Sequence, residues 1–144
     1  MKRLEPVSKI MTKKLVTLTL KDDLFTAEKL FKECHIRHIP IVKENHIIGM
    51  LGLTDLDRIS FLDAYDANEI QIDNAIYNML SIEQVMVKNV VKINSKTTIK
   101  EVAEILSKNE IHALPVVDNT ELVGIVTTTD LLLYLLDQYR KETN

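Results

Sequence analysis

Asp55 and Asp130 stand 75 positions apart, and the residues around them repeat at the same offset. Gly49–Leu56 reads Gly-Met-Leu-Gly-Leu-Thr-Asp-Leu, and Gly124–Leu131 reads Gly-Ile-Val-Thr-Thr-Thr-Asp-Leu. The register runs without a gap from Val7–Ser60 to Ile82–Leu135. It keeps Met11/Met86, Val16/Val91, Pro40/Pro115, Gly49/Gly124 and Asp55/Asp130 identical. Chance does not hold Met, Pro, Gly and Asp together in one frame. Two copies at so long a period imply a pseudo-symmetric pair of small units, not a solenoid.

Each copy carries the same order of signals. A short helical lead-in, Val7–Met11 or Ile82–Met86, is followed by a β run, Leu15–Leu18 or Val90–Ile93. An amphipathic helix comes next, with Leu24, Ala27, Leu30 and Phe31 on one face of the first copy and Ile99, Val102, Ala103, Ile105 and Leu106 on that of the second. Asp23, Thr98 with Glu101, and Ser81 with Gln84 have the chemistry and spacing of helix caps. Two β runs joined by a polar turn follow, Ile39–Val42 with Ile47–Leu51 and Leu114–Val117 with Leu122–Val126. A proline interrupts the first run of each hairpin, which predicts an edge or a strand entry. A last helix is expected to begin at or just after each aspartate. The expected fold is therefore α+β (α/β), two tandem β-α-β-β-α repeats packed as a pseudo-two-fold pair. The boundaries are 1–62 for the first repeat, 63–80 for an acidic connector packing partly on the body, and 81–144 for the second.

Composition narrows the function classes. The chain has 144 residues, 46% of them apolar, so a packed interior is expected. No apolar run approaches the ~20 residues of a membrane span, and the N-terminus lacks a secretory signal. The single cysteine, Cys34, forms no internal disulfide, which suits the cytoplasm. A net charge of −3 with mixed signs argues against a nucleic-acid binder of the ordinary basic kind. With three glycines in all there is no phosphate-binding glycine loop, and no nucleophile elbow or acid/base pair stands out. No enzyme activity is expected.

Ile111-His112-Ala113-Leu114-Pro115-Val116-Val117-Asp118 followed by Leu122–Leu131, and Ile36-Arg37-His38-Ile39-Pro40-Ile41-Val42 followed by Ile48–Leu56, resemble the CBS domain (the cystathionine-β-synthase-type domain). The chain as a whole resembles a stand-alone CBS pair, or Bateman module. The resemblance covers nearly everything but the connector and the tails. It implies a cleft between the repeats for an adenosine-type ligand. There the aspartate of a Thr/Ser-x-x-Asp motif would take the ribose hydroxyls, and the Thr or Ser would contact ribose or phosphate. A charged residue before the proline-bearing strand of the other copy would meet phosphate, and the first short strand of that copy would offer backbone to adenine. Carried onto this sequence, one site holds Thr127 and Asp130 with Arg37, His38 and the backbone around Lys14–Val16. The other holds Asp55 with His112 and the backbone around Asn89–Val91. That second site has Gly52 in place of the Thr or Ser, and Ala113 removes a further charge.

Plainer readings compete. Both aspartates can serve only as helix caps. Arg37 can be an ordinary surface arginine, and Lys13-Lys14 a solvated pair. His35 and His46 read as surface residues, whereas His38 and His112 lie beside the presumed phosphate position. The four histidines have no cysteine or carboxylate at ligand spacing, so no metal is expected. Cys34 and His35 are sequence neighbours that point apart on a helix and make no nucleophilic dyad. Tyr134, Tyr139 and Leu131–Leu136 form core or a homodimer face. The reading that follows is a regulatory module that requires no cofactor. It binds AMP, ADP, ATP or S-adenosylmethionine as its ligand and signals through a partner protein or its own dimer. The alternative is a scaffold or dimerisation module with no ligand.

Overall fold

The structure, a computed structural model, describes residues 4–60 and 75–143. Most of the connector expected at 63–80 lies outside these, as do residues 61 and 62 of the first repeat. The elements are a 3-10 turn (Val7–Lys9), α1 (Leu24–Cys34), β1 (His38–Lys43), β2 (His46–Gly52), α2 (Leu53–Ser60), α3 (Ile82–Val85), α4 (Ile99–Lys108), β3 (Ala113–Asp118), β4 (Glu121–Thr127) and α5 (Thr128–Glu142). Residues 75–79 are helical as well.

The expected caps form. Asp23 accepts from Thr26 N at 2.8 Å, and Ser81/Gln84 and Thr98/Glu101 close reciprocal capping boxes. The Thr26 bonds hold the Asp23 carboxyl below its ordinary range. Each helix then buries its apolar stripe. Leu24, Ala27 and Phe31 of α1, and Ile99, Val102 and Leu106 of α4, are buried. Burial of a leucine or phenylalanine side chain contributes about 1.5–3 kcal/mol.

The two hairpins are the same object made twice. β1 pairs with β2, and β3 with β4, antiparallel, each with one register shift, between Ile41/Val42 and Val116/Val117. Both turns are two residues long with positive φ throughout: 51° and 67° at Glu44 and Asn45, 50° and 71° at Asn119 and Thr120. That geometry matches the twist of the flanking strands.

Two expectations are corrected here. The runs Leu15–Leu18 and Val90–Ile93 are extended, but each makes a single parallel bridge, Leu18 to Ile41 and Ile93 to Val116. The prolines do not mark free edges, because β1 and β3 are flanked on both sides. They instead explain why the parallel pairing stops. Leu18 N donates to Pro40 O at 3.1 Å and Val42 N to Leu18 O at 2.8 Å. The next bond of that ladder would run from residue 40 N to Val16 O, and proline has no N–H. Pro115 ends the pairing of Ile93 in the same way, so the carbonyl of Val91 loses its donor.

By its contacts the chain forms two compact units. One comprises Met1–Leu15 with Val91–Asn144, here unit 1; the other is Val16–Val90, unit 2. Their boundaries differ from those of the sequence repeats, because the lead-ins have changed places. The first lead-in joins the second hairpin: Thr12 and Ile125 exchange backbone bonds of 2.7 and 3.0 Å, and the Met11 thioether lies across Gly124. The second lead-in joins the first hairpin: Val87 and Met50 exchange bonds of 2.9 Å, and Met86 lies across Gly49. A side chain at either glycine would occupy the space of the methionine sulfur. The apolar core of unit 2 gathers Leu24, Phe31, Ile39, Leu51, Leu56 and Ile82. That of unit 1 gathers Val7, Ile93, Val102, Leu114, Val116 and Val126.

Candidate functional site

The candidate residues collect where each hairpin runs into its last helix. In unit 1, Thr127 ends β4 and is the N-cap of α5. Its hydroxyl oxygen accepts from Asp130 N at 3.2 Å, while Asp130 Oδ2 accepts from Thr127 N at 2.9 Å. The helix therefore begins two residues before the aspartate rather than at it. The physical reason is the box itself, which needs a carboxylate at the third helical position to reach back to the N-cap N–H. The arrangement leaves Asp130 Oδ1 and the Thr127 hydroxyl proton without partners among the described residues. Thr128 N and its hydroxyl donate to His112 O at 3.0 and 3.4 Å. This fastens the backbone of His112 beside the first turn of α5 and leaves its imidazole exposed.

Unit 2 repeats the construction with one group missing. Gly52 N donates to Asp55 Oδ2 at 2.8 Å, and Leu53 N donates to Arg37 O at 2.8 Å, the counterpart of the tie to His112. α2 likewise starts two residues before its aspartate. No hydroxyl stands at Gly52, so the carboxylate side of the box exists and the N-cap acceptor does not. Asp55 Oδ1 instead has Arg58 Nη1 at 4.0 Å. The register of the sheet sets His38 opposite Gly52, and the Arg37 side chain is exposed.

Unit 1 thus contains Thr127, Asp130, His112, Lys14 and Val91, and unit 2 contains Asp55, Arg37, His38, Val16 and Asn89. Hydrogen bonds join Thr127 to Asp130 and bring His112 to the same helix start; Asp55, Arg37 and His38 meet around Gly52. Lys14 and Asn89 are exposed, each next to one of the extended stretches that carry Val16 and Val91. The carbonyls of Val16 and Val91 make no hydrogen bond among the described residues. Sequence reasoning missed Arg58 and Thr128. The three-residue spacing of Arg58 from Asp55 was readable as a helical neighbour pair, whereas nothing in the sequence announced the bond from Thr128 to the His112 carbonyl. Among the described residues no group of three or more His, Cys, Asp or Glu is placed to hold a metal ion. No described helix is long and apolar enough to cross a membrane.

The family model of the CBS domain matches residues 7–61 and 82–137. The chain belongs to the CBS domain family. Among curated proteins it is 29% identical over 133 residues to the uncharacterized protein MJ1225 of Methanocaldococcus jannaschii, covering 90% of this chain and 47% of that one. It spans about half, or less, of the length of the first curated relatives it matches. Among solved structures, MJ1225 superposes with a TM-score of 0.80 at 26% identity, over 94% of this chain and 49% of that one. A Vibrio cholerae protein named for acetoin utilization (AcuB) gives 0.80 at 26%, over 98% of both chains. The CBS domain pair of protein MJ0100, solved in complex with 5-methylthioadenosine and S-adenosyl-L-methionine, gives 0.75 at 27%, over 94% of this chain and 98% of that one. The two tandem CBS repeats expected from the sequence, with a small sheet in each half, match these structures.

Proposed function

We propose that this CBS pair is a regulatory module that binds an adenosine-type ligand and signals through a change of conformation or of dimer packing. The observation that carries the reading is the reciprocal box of Thr127 and Asp130. One carboxylate oxygen fixes the turn while the other remains available, next to the Thr127 hydroxyl proton at the start of a helix. A vicinal diol such as ribose donates two hydroxyl protons to a carboxylate of this kind. The carbonyls of Val16 and Val91, without a partner among the described residues, supply acceptors for an exocyclic amine, and Arg37, His38 and His112 supply donors for an anionic tail. The adenosine ligands of MJ0100 support the same ligand class. No residue is assigned a catalytic role. Ligand action follows from differential affinity for two arrangements of the chain, which shifts their populations.

Thermal melts with AMP, ADP, ATP, S-adenosylmethionine and 5-methylthioadenosine test the proposal, because a ligand of the native state raises the midpoint by mass action. At least one should raise it. Asp130→Ala should remain folded and lose that rise. The scaffold reading is favoured by Gly52, which removes the ligand-facing hydroxyl from the Asp55 site. A wild-type midpoint unmoved by every adenosine compound would select it.

A further inference from the structure

Of the five methionines, Met11 and Met86 hold corresponding places, each with its thioether across a bare glycine of the hairpin its lead-in joins. The two seats are unequal. The three atoms nearest a Cβ at Gly49 all belong to the Met86 side chain, whereas at Gly124 the Thr12 carbonyl shares the place with Met11. The ties around them differ too. Val7 N donates to Thr97 O at 2.7 Å and Ile99 N to Glu5 O at 2.9 Å, so backbone bonds also hold the start of the first lead-in. In the second lead-in, among the described residues, the backbone bonds to other elements are the Val87–Met50 pair, 2.9 Å each way. Met86 is half-buried and packs on the apolar cluster of unit 2. Its side chain is reached from solvent and yet seated on apolar atoms.

We propose that Met86 is an oxidation-sensitive latch on the end of the second lead-in, with hydrogen peroxide as the oxidant. A lone pair of the thioether sulfur attacks one peroxide oxygen, and the O–O bond breaks as the S–O bond forms. The other oxygen leaves as hydroxide and is protonated to water; sulfur loses two electrons and the peroxide gains them. The sulfoxide is polar, chiral and larger by one oxygen. That oxygen is a strong acceptor, and the donors at the latch are engaged: Met86 N with Ile82 O, and Val87 N and Met50 N with each other's carbonyls. It therefore turns to water, which lifts the sulfur off Gly49 and loosens the Val87–Met50 pair. From Val87 the chain runs directly into the stretch that carries Val91, so release changes how that carbonyl is held. The consequence for adenosine binding rests on the function proposed above; the latch itself does not. Met11 is the less sensitive copy, because Thr12 shares its seat and its lead-in has further backbone ties.

The test treats the full chain with hydrogen peroxide, assigns oxidised sites by peptide mass spectrometry and follows amide exchange by NMR at Val87, Met50, Thr12 and Ile125. Oxidation at Met86 should speed exchange at Val87 and Met50 roughly tenfold or more, and at Thr12 and Ile125 less. Methionine sulfoxide reductases with a dithiol should restore the original rates, an arm that needs no variant. Met86→Leu keeps the volume without the reactive sulfur. It should show no peroxide-dependent change at Val87, although the exposed Cys34 and Met79 remain oxidisable. Met86 left unoxidised in the folded chain, oxidised Met86 with unchanged exchange, or an equal response in Met86→Leu overturns the proposal. No adenosine ligand is present in this assay, so its failure and that of the nucleotide reading are separate results.

Discussion

The starts of α5 and α2 are the same joint built with and without one hydroxyl. Both present an aspartate at the third helical position, and both tie the carbonyl of the residue before the sheet, His112 or Arg37, to the first turn. Only the joint in unit 1 has an N-cap acceptor. The aspartates are therefore explained by folding in both copies, because a strand that becomes a helix without a break leaves N–H groups to satisfy. The hydroxyl is what differs, and it belongs both to the cap and to the proposed ligand site. The unequal residue at the joint consequently says more about function than the aspartate the two copies share.

The largest expected effect comes from the glycines under the exchanged lead-ins. The three atoms nearest a Cβ at Gly49 all belong to the Met86 side chain. A Cβ at Gly124 meets Met11 Sδ at 2.7 Å and Cγ at 3.1 Å, but also Thr12 O at 3.2 Å. That oxygen accepts from Ile125 N, so it cannot swing aside as a thioether does. Gly124→Ala should lower stability by about 1–3 kcal/mol, in the range of overpacked cores. Gly49→Ala should cost less, and adding Met86→Ala should recover more of it than Met11→Ala recovers for Gly124→Ala. Urea denaturation of the four variants measures the difference; equal costs and equal rescue would mean that the lead-ins are held alike.

An intermediate effect separates the units by pH. In unit 1 the Tyr134 hydroxyl donates to Glu5 Oε2 at 2.6 Å; the counterparts in unit 2 are Ile59 and Leu80, both packed on the apolar cluster. The bond to a carboxylate, helped by burial, pushes the Tyr134 hydroxyl up to about 12 from an ordinary 10.0. A raised value stabilises the protonated folded form. Its contribution is complete below pH about 10, where tyrosine begins to ionise in the unfolded chain, and is lost as pH rises through about 12. Tyr134→Phe should cost about 1–2 kcal/mol at neutral pH and remove part of the alkaline decline. Parallel melting curves for wild type and variant across that window would show the prediction to be wrong.

Much of this was readable beforehand, and the misses share a cause. The repeat, the three caps, both hairpins and the apolar faces of α1 and α4 depend on residues close in sequence, so spacing revealed them. The exchange of lead-ins did not, because Met11 with Gly124 and Met86 with Gly49 are contacts between copies that look alike. Periodicity cannot tell which hairpin a lead-in will join. The prolines read as missing donors in the sequence, but the bond they forgo belongs to the parallel neighbour and not to a free edge. Pro40 and Pro115 do not expose β1 and β3; they end the pairing of the strand beside them, leaving the carbonyls of Val16 and Val91 without a partner among the described residues. Each last helix starts two residues before its aspartate, because a residue that reads as an N-cap in the sequence is here the third helical residue.

The smallest effect is the most direct test of the comparison between the joints. Gly52→Thr would restore in unit 2 the hydroxyl that Thr127 contributes in unit 1. Gly52 does not have positive φ, so the backbone accepts a side chain. The new Cβ would lie 3.2 Å from Asp55 Oδ2 and 3.5 Å from Thr54 Oγ1, close enough to demand a small shift of the carboxylate. Completing a cap is worth about 0.5–2 kcal/mol relative to alanine but only a few tenths relative to glycine. Set against the crowding, the net gain should be a few tenths, and the melting midpoint should barely move. Ligand response is where the substitution should register. If the hydroxyl is what makes the Asp130 joint competent, Gly52→Thr should raise the number of adenosine ligands bound per chain in calorimetry, or at least strengthen the weaker phase. A variant that gains the stability and leaves the titration unchanged would show that the two joints differ only as caps, and the asymmetry would then lose its functional meaning.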